Sequence, residues 1–329
     1  MKVKNKQNES KNFSHNKRLV YIAIAIMAIL ILTGFFLYYH PNQPSQPKAA
    51  IIDQLSSTEL GTSRFPNQTF IETTKELLYK RFPKVDCYSD NATVDQYRSL
   101  PSLGYRLIIW RVHSALDKNH FIAICSSERY DSKKYNQYSA DQLTLCNITG
   151  DPNLYFAITP KFVEECMSGG FEDTVIVFMS CNGLKQEYTK TAETFVKKGA
   201  KAWISWNGWI DPSDNDHAMT LLLDYLINEN NTISEAVNEV PSYFSPFYGP
   251  SALDYYPRPE VADYRIPNYK EANTASNAGS AVIAVFLRTK SKLKRTSQSR
   301  ISPNQNTIKS ILQIFSYWRH FSKSSNLFS

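Results

Sequence analysis

Residues 105–115 read YRLIIWRVHSA, and residues 174–183 read TVIVFMSCNG. Both stretches are rich in β-branched and aromatic residues, which is typical of strands buried on both faces of a parallel sheet. Helical patterns precede and follow them, over 67–82, 188–198 and 214–228. Strands that alternate with helices predict an α/β fold, specifically a three-layer α/β/α sandwich with a mainly parallel sheet.

Both of these strands run into reactive side chains. The first is followed by His113 and Ser114, and the second by Cys181 and Asn182. Sites in parallel sheets form at the carboxyl ends of the strands, so neighbouring strands bring the imidazole and the sulfur together. An imidazole activates a nearby thiol, and it can protonate the amine that leaves when the sulfur attacks a carbonyl carbon. We therefore predict His113 and Cys181 as the catalytic pair of a hydrolase.

The order of these features resembles the caspase-like superfamily of cysteine peptidases, which includes clostripain, gingipains and separase. Over roughly 105–240 the chain reads strand–His–small residue, strand–Cys–small residue, then helix–Gly–Ala–strand–Trp. The part most similar to the superfamily's CHAT domains is ETFVKKGAKAWISWNGWI, residues 193–210. The resemblance implies a caspase-like fold and cleavage of peptide bonds through a Cys/His dyad and a thioester acyl-enzyme.

The resemblance also implies roles for residues near the dyad. The backbone N–H groups of Ser114 and Cys181 are expected to form the oxyanion hole, although many family members have glycine where this chain has Ser114. The predicted substrate-binding residues follow two strands: Ser180, Asn182, Trp206 and Asp211. Of these, Asp211 favours a basic side chain in the substrate.

Other chemistries lack their motifs in this sequence. A cysteine phosphatase needs arginine six positions after its nucleophile, and Glu187 stands there instead. The sequence has no CxxC pair, no metal-ligand spacing among its histidines and no glycine-rich phosphate loop. We therefore expect no metal and no cofactor, and a peptide or protein as substrate.

The net charge of +7 is distributed unevenly. Residues 1–18 hold six Lys/Arg and one acidic residue, and residues 272–329 hold nine Lys/Arg and no acidic residue, which leaves 22 basic and 29 acidic residues between them. An acidic body argues against nucleic acid as a partner. Basic ends are typical of membrane topology and surface contacts.

Residues 19–39, LVYIAIAIMAILILTGFFLYY, contain no charged residue and suffice to cross ~30 Å of hydrocarbon. Because basic residues precede it, the positive-inside rule predicts an uncleaved single-pass anchor, with the N-terminus cytoplasmic and the catalytic domain outside. The predicted organisation is a basic cytoplasmic tail (1–18), the transmembrane anchor (19–39), a linker (40–66), a caspase-like domain (67–290) and a basic C-terminal tail with amphipathic helical spacing (291–329).

The cysteine count fits an external enzyme with one free thiol. Outside the membrane, Cys87, Cys125, Cys146 and Cys166 can form two disulfides, which leaves Cys181 unpaired. Three pairings are open, and the sequence does not choose among them.

Two other functions fit the same pattern. Ser114 in place of glycine, and the lack of an acidic residue beside Cys181, favour a catalytically silent binding or interaction module displayed at the membrane. The polar stretch 127–145 favours a membrane-tethered regulator that cleaves a single partner or itself at this loop.

Overall fold

A computed structural model describes residues 46–270 and, apart from these, Met27 alone. The chain divides into two units, 1–267 and 268–329, and the second contributes only its first three residues to the described part. The predicted anchor, except for Met27, and the predicted C-terminal tail lie outside the described residues. Within the described part, no helix has the length and apolar character needed to cross a bilayer.

The strands of the described part form one large sheet, one smaller sheet and a hairpin. In chain order they are β1 (Lys48–Asp53), β2 (Lys84–Tyr88), β3 (Tyr105–Arg111), β4 (Ser114–Leu116), β5 (Ile122–Arg129), β6 (Leu143–Asn147), β7 (Leu154–Ile158), β8 (Thr174–Met179), β9 (Ala200–Trp206), β10 (Tyr243–Ser245), β11 (Gly249–Ser251) and β12 (Leu253–Tyr256). The large sheet has the order β12-β9-β8-β3-β1-β2. All its pairings are parallel except that of β12 with β9, so the prediction of a mainly parallel sheet is confirmed.

Helices cover both faces of the large sheet, because strands buried on both faces leave apolar side chains on each. The helices are α1 (Gln68–Arg81), α2 (Val94–Ser99), α3 (Pro160–Glu165), α4 (Lys190–Lys197), α5 (Pro212–Ile227) and α6 (Ile233–Glu239). On one face, α2, α3 and α4 pack around Trp110, Phe178 and Trp203. Helices α1 and α5 pack together, and α1 also contacts β1. The α/β/α architecture follows from this arrangement.

Strand β1 corrects the predicted linker of residues 40–66. Its six residues, KAAIID, pair with both β2 and β3, and Ala49 to Asp53 are buried. The sequence gives little sign of this strand, because only Ala49–Ile52 is apolar and a proline-rich stretch precedes it. The strand lies between β3 and the edge strand β2, and the segment after it reaches the candidate site.

The smaller sheet is an antiparallel insertion between β3 and β8, with the order β4-β5-β7-β6. It corrects the reading of 127–145 as one polar loop, because β5 extends to Arg129 and β6 begins at Leu143, which leaves 130–142 as the loop. A disulfide joins Cys125 on β5 to Cys146 on β6. The prediction of two disulfides is wrong for this structure, because Cys87 and Cys166 are both free.

Candidate functional site

The carboxyl ends of β3 and β8 border a cavity of about 470 Å³, and His113 and Cys181 both line it. The two strands are adjacent and parallel, with Arg111 opposite Met179. His113 and Cys181 each follow two residues after this last pair, where both chain segments have left the sheet. Neighbouring strands lie about 4.8 Å apart. The structure therefore brings the two predicted residues to adjacent strand ends on one cavity wall.

Backbone and side-chain groups from the segment after β1 orient His113. Its ring Nε2 lies 3.3 Å from the carbonyl oxygen of Ser63, and the ring of Phe65 packs edge-on at 6.1 Å between centroids. Its backbone N–H donates to Gln54 Oε1 at 3.0 Å, and its carbonyl accepts from Cys125 N at 3.1 Å. A ring N–H pointing at a carbonyl places the proton on Nε2 and leaves Nδ1 as the proton acceptor.

Burial lowers the pKa of the His113 imidazole below its ordinary value of 6.5. The nearby Arg111 guanidinium lowers this pKa further, while the Ser63 carbonyl and Asp151 oppose the shift. Desolvation disfavours the charged form of a base. The ring is therefore neutral at pH 7, as a general base must be before it accepts a proton.

The thiol of Cys181 lies in the turn after β8 and contacts the backbone of Ile210. Its Sγ donates to the Ile210 carbonyl and accepts from the Ile210 N–H, both at 3.5 Å. Burial raises the pKa of the Cys181 thiol, and the Asp211 carboxylate adds to this, while the N–H groups of Ile210 and of Cys181 itself oppose it. The resting side chain is thus a neutral thiol. Within residues 46–270 it forms no hydrogen bond to His113.

Two serines connect the turns that follow β3 and β8. Ser180 Oγ donates to Ser114 Oγ at 2.7 Å, and Ser114 Oγ donates to the Cys181 carbonyl at 3.1 Å. Ser114 also begins β4, where it pairs with Ile124. The side chain of Ser114 therefore holds the cysteine turn in place, which a glycine at this position could not do.

The turn after Cys181 depends on close packing and on a left-handed residue. Asn182 has φ 58°, and its N–H donates to the Gly208 carbonyl at 2.8 Å. Asparagine tolerates this conformation better than most residues. A Cβ at Gly183 would clash with the side chains of Ser205 and Phe178. Asn182 thus supplies the turn conformation, and Gly183 permits the approach of β9.

Three residues of the loop after β9 line the cavity, Trp209, Ile210 and Asp211, but Trp206 does not. Trp206 is fully buried, and its indole N–H donates to Asn215 Oδ1 at 2.8 Å. The prediction that Trp206 binds substrate is therefore corrected: it is a core residue at the end of β9. Trp209 and Asp211 line the cavity, together with Ser180 and Asn182.

A buried ion-pair network lies directly behind the histidine. Arg111 Nη1 donates to Asp53 Oδ1 at 2.8 Å, while its Nε and Nη2 donate to the two oxygens of Asp216 at 2.7 and 2.9 Å. All three side chains are nearly inaccessible to solvent. Sequence reasoning missed this network, although an arginine inside an apolar strand is a signal, since a buried cation requires a partner.

The cavity carries few charges. Among the lining residues within 46–270, Asp211 is the single carboxylate, and it is exposed. Its Oδ1 accepts from Ser213 N and Oγ, which caps α5. Across residues 46–270 and Met27, no three His, Cys, Asp or Glu side chains are placed to hold a metal ion.

Comparisons with known proteins identify no family for this chain. It matches no protein-family model and no curated protein. It is similar to a solved structure described as "Structure of Protease", with 12% identity and a TM-score of 0.36. The match covers 68% of this chain and 50% of that one, so the chain spans about half the length of the solved protein. A likeness this distant assigns neither a fold nor a reaction to the chain.

Proposed function

We propose that the chain is a cysteine peptidase in which Cys181 is the nucleophile and His113 the general base and acid. The observation that carries this proposal is that both residues follow adjacent parallel strands and line the wall of one cavity. The neutral imidazole, with Nδ1 free to accept a proton, supports the role of base. The thiol of Cys181 on the same cavity wall supports the role of nucleophile.

The proposed reaction begins from the neutral pair. His113 Nδ1 takes the thiol proton as Cys181 Sγ attacks the scissile carbonyl carbon, which forms a C–S bond and an oxyanion. His113 then gives the proton to the leaving amine, the C–N bond breaks and a thioester remains. Water, deprotonated by His113, attacks the thioester and releases the carboxylic acid and the free thiol.

The oxyanion is proposed to accept from the backbone N–H groups of Ser114 and Cys181. The hydrogen bond from Ser114 Oγ to the Cys181 carbonyl supports this, because it holds the two turns together. Losing an oxyanion donor typically costs about 2.7–4 kcal/mol of transition-state stabilisation. Asp211 is proposed to favour a basic side chain, because it is the single carboxylate of the cavity wall.

The test is a panel of fluorogenic peptides that differ in the residue before the scissile bond, with basic and neutral members. Cys181→Ala and His113→Ala are expected to abolish cleavage, and Cys87→Ala, which removes an exposed free thiol on β2, is expected to retain it. Cleavage that persists in either dyad variant at the wild-type rate would refute the proposed dyad.

The chain is further proposed to be anchored by residues 19–39, with the catalytic body outside. The disulfide between Cys125 and Cys146 supports an oxidising compartment. The chain enters the sheet at Lys48, at the amino end of β1, whereas the cavity lies at the carboxyl ends of the parallel strands. Protease protection of membrane vesicles from expressing cells tests this topology.

A catalytically silent module is the second candidate, and the raised pKa of the Cys181 thiol favours it. Slow alkylation by iodoacetamide does not separate the two, because a neutral thiol reacts slowly in both. A peptidyl acyloxymethyl ketone separates them, since it needs substrate binding and a proton donor as well as the sulfur. Labelling of Cys181 that depends on His113 supports the peptidase, and unselective labelling supports the silent module.

A further inference from the structure

The hairpin of β10 and β11 presents an exposed aromatic cluster, formed by Phe244, Phe247 and Tyr248. Their exposed fractions are 73%, 90% and 64%, the three highest among the large hydrophobic residues of 46–270. Exposed apolar clusters usually mark a site of interaction, because they contribute nothing to the core. The cluster is therefore a candidate surface for binding a ligand or partner.

The hairpin is held rigidly against the loop that follows β9. Tyr243 packs edge-on against the buried Trp206, with ring centroids 5.5 Å apart. Asn207 exchanges two hydrogen bonds with the backbone of Ala252, both at 2.9 Å. A Cβ at Gly208 would meet the Pro250 carbonyl at 2.7 Å, so the hairpin and the loop touch closely. The exposed rings are thus presented in a fixed position.

The aromatic cluster is continuous with the cavity that contains Cys181. The ring of Tyr248 stacks on Trp209, with centroids 4.8 Å apart and planes inclined by 27°. Both rings line the same cavity as Cys181, and the hydrogen bond from Asn182 N to the Gly208 carbonyl joins the cysteine turn to this loop. A peptide lying across Cys181 would pass the stacked pair.

From this continuity we infer that Trp209 and Tyr248 form a subsite for a large apolar or aromatic side chain of the peptide substrate, at one fixed position beside the scissile bond. Phe247 extends this apolar surface beyond the cavity. The inference rests on the proposed peptidase function. The stacked rings provide a flat apolar contact area for an aromatic or branched side chain of the peptide. Holding these rings in place costs little conformational entropy, since aromatic side chains have few rotatable bonds.

A peptide fits this surface better than a bilayer does. The cluster adjoins a cavity wall that carries Asn182 and Asp211, whose polar groups suit a peptide backbone and side chains. It also lies beside the carboxyl ends of the strands, opposite the end at which the chain enters β1.

The test compares cleavage of a peptide library by the wild type, by Tyr248→Ala, by Tyr248→Phe and by Tyr79→Ala. Tyr79 is an exposed aromatic of α1 outside the cavity and serves as the matched control. Wild-type sites are expected to be enriched in large apolar residues at one position. Tyr248→Ala should lower kcat/KM for those substrates about tenfold, as for one apolar pocket contact, and leave substrates with alanine there unchanged. Tyr248→Phe should retain the preference.

A binding arm separates this inference from the peptidase proposal. Peptides retained by immobilised Cys181→Ala protein should show the same apolar enrichment, and the double variant with Tyr248→Ala should lose it. If the Cys181→Ala protein retains apolar peptides but the wild type cleaves none, the peptidase proposal is refuted and the subsite is supported. Cleavage or retention that Tyr248→Ala leaves unchanged overturns the subsite. Binding of phosphatidylglycerol vesicles that Phe247→Ala abolishes, with peptide selection unaltered, also overturns it.

Discussion

The buried network of Arg111, Asp53 and Asp216 makes the sharpest prediction about stability, for the variant Asp216→Asn. The substitution preserves the volume of the side chain, so lost packing does not contribute. It removes the negative charge that receives two of the three charge-assisted hydrogen bonds of Arg111. It also alters the acceptor of the hydrogen bond from Asn67, the residue that caps α1.

The expected loss is about 3 kcal/mol in the free energy of unfolding. Breaking a buried ion pair by removing one partner costs roughly 3–5 kcal/mol, because the remaining charge stays buried. The lower end of this energy range applies here, since the carboxylate of Asp53 still pairs with the guanidinium of Arg111. The matched control is Asp254→Asn, which removes a partly exposed ion pair with Arg258 and should cost less than about 1 kcal/mol.

Equilibrium urea unfolding, followed by tryptophan fluorescence, measures the difference. A midpoint roughly 1–3 M lower in Asp216→Asn, at an unchanged slope, is expected for slopes of about 1–3 kcal/mol/M. A midpoint equal to that of Asp254→Asn would mean that the network contributes little. Because Arg111 lies two residues before His113, Asp216→Asn should also lower kcat, and unchanged kcat would show that the network does not position the histidine.

Two further predictions concern pH and processing. Burial lowers the pKa of His113 below 6.5 and raises that of Cys181 above 9.0, so a plot of log kcat/KM against pH should be flat from about pH 6.5 to 9. An acidic inflection above pH 7 would contradict the neutral pair. Cleavage by trypsin within 130–142 should leave two fragments joined by the Cys125–Cys146 disulfide, so the protein should run as one band before reduction and as two after it. Separation without reduction would contradict that pairing.

The sequence predicted the strands and helices that have a clear pattern over a short stretch of the chain. Strands β3 and β8 are long apolar runs, and their carboxyl ends pointed to the cavity wall that His113 and Cys181 share. Helix α1, Gln68–Arg81, falls within the helical pattern of residues 67–82. These features depend on residues close together in the chain, which is why pattern alone revealed them.

The features that the sequence did not predict depend on contacts between segments that are distant in the chain. Gln54 and Ser63 hold His113, but nothing in their own neighbourhood predicts that role. Strand β1 has an apolar run of only four residues, Ala49–Ile52, between a proline-rich stretch and polar residues. The three-residue strands of the hairpin, which place Tyr248 on Trp209, lie in a tyrosine- and proline-rich run without strand periodicity.

The disulfide pairing also depends on contacts between distant segments, so the sequence did not predict it. Four cysteines allowed three arrangements of two bonds, and only the path of β5 and β6 brings Cys125 and Cys146 together. Cys87 lies on β2 and Cys166 at the end of α3, and neither is bonded.

The most direct test of the proposed chemistry is to trap the acyl-enzyme. A peptide that the protein cleaves is mixed with it, and the reaction is stopped with acid after milliseconds to seconds. The protein is then digested, and the acylated residue is located by mass spectrometry. The account predicts a thioester that carries the amino-terminal part of the peptide on Cys181, absent from Cys181→Ala and from His113→Ala. Turnover of the same peptide with no acyl group on Cys181, or with one on Cys87 or Cys166, would contradict it.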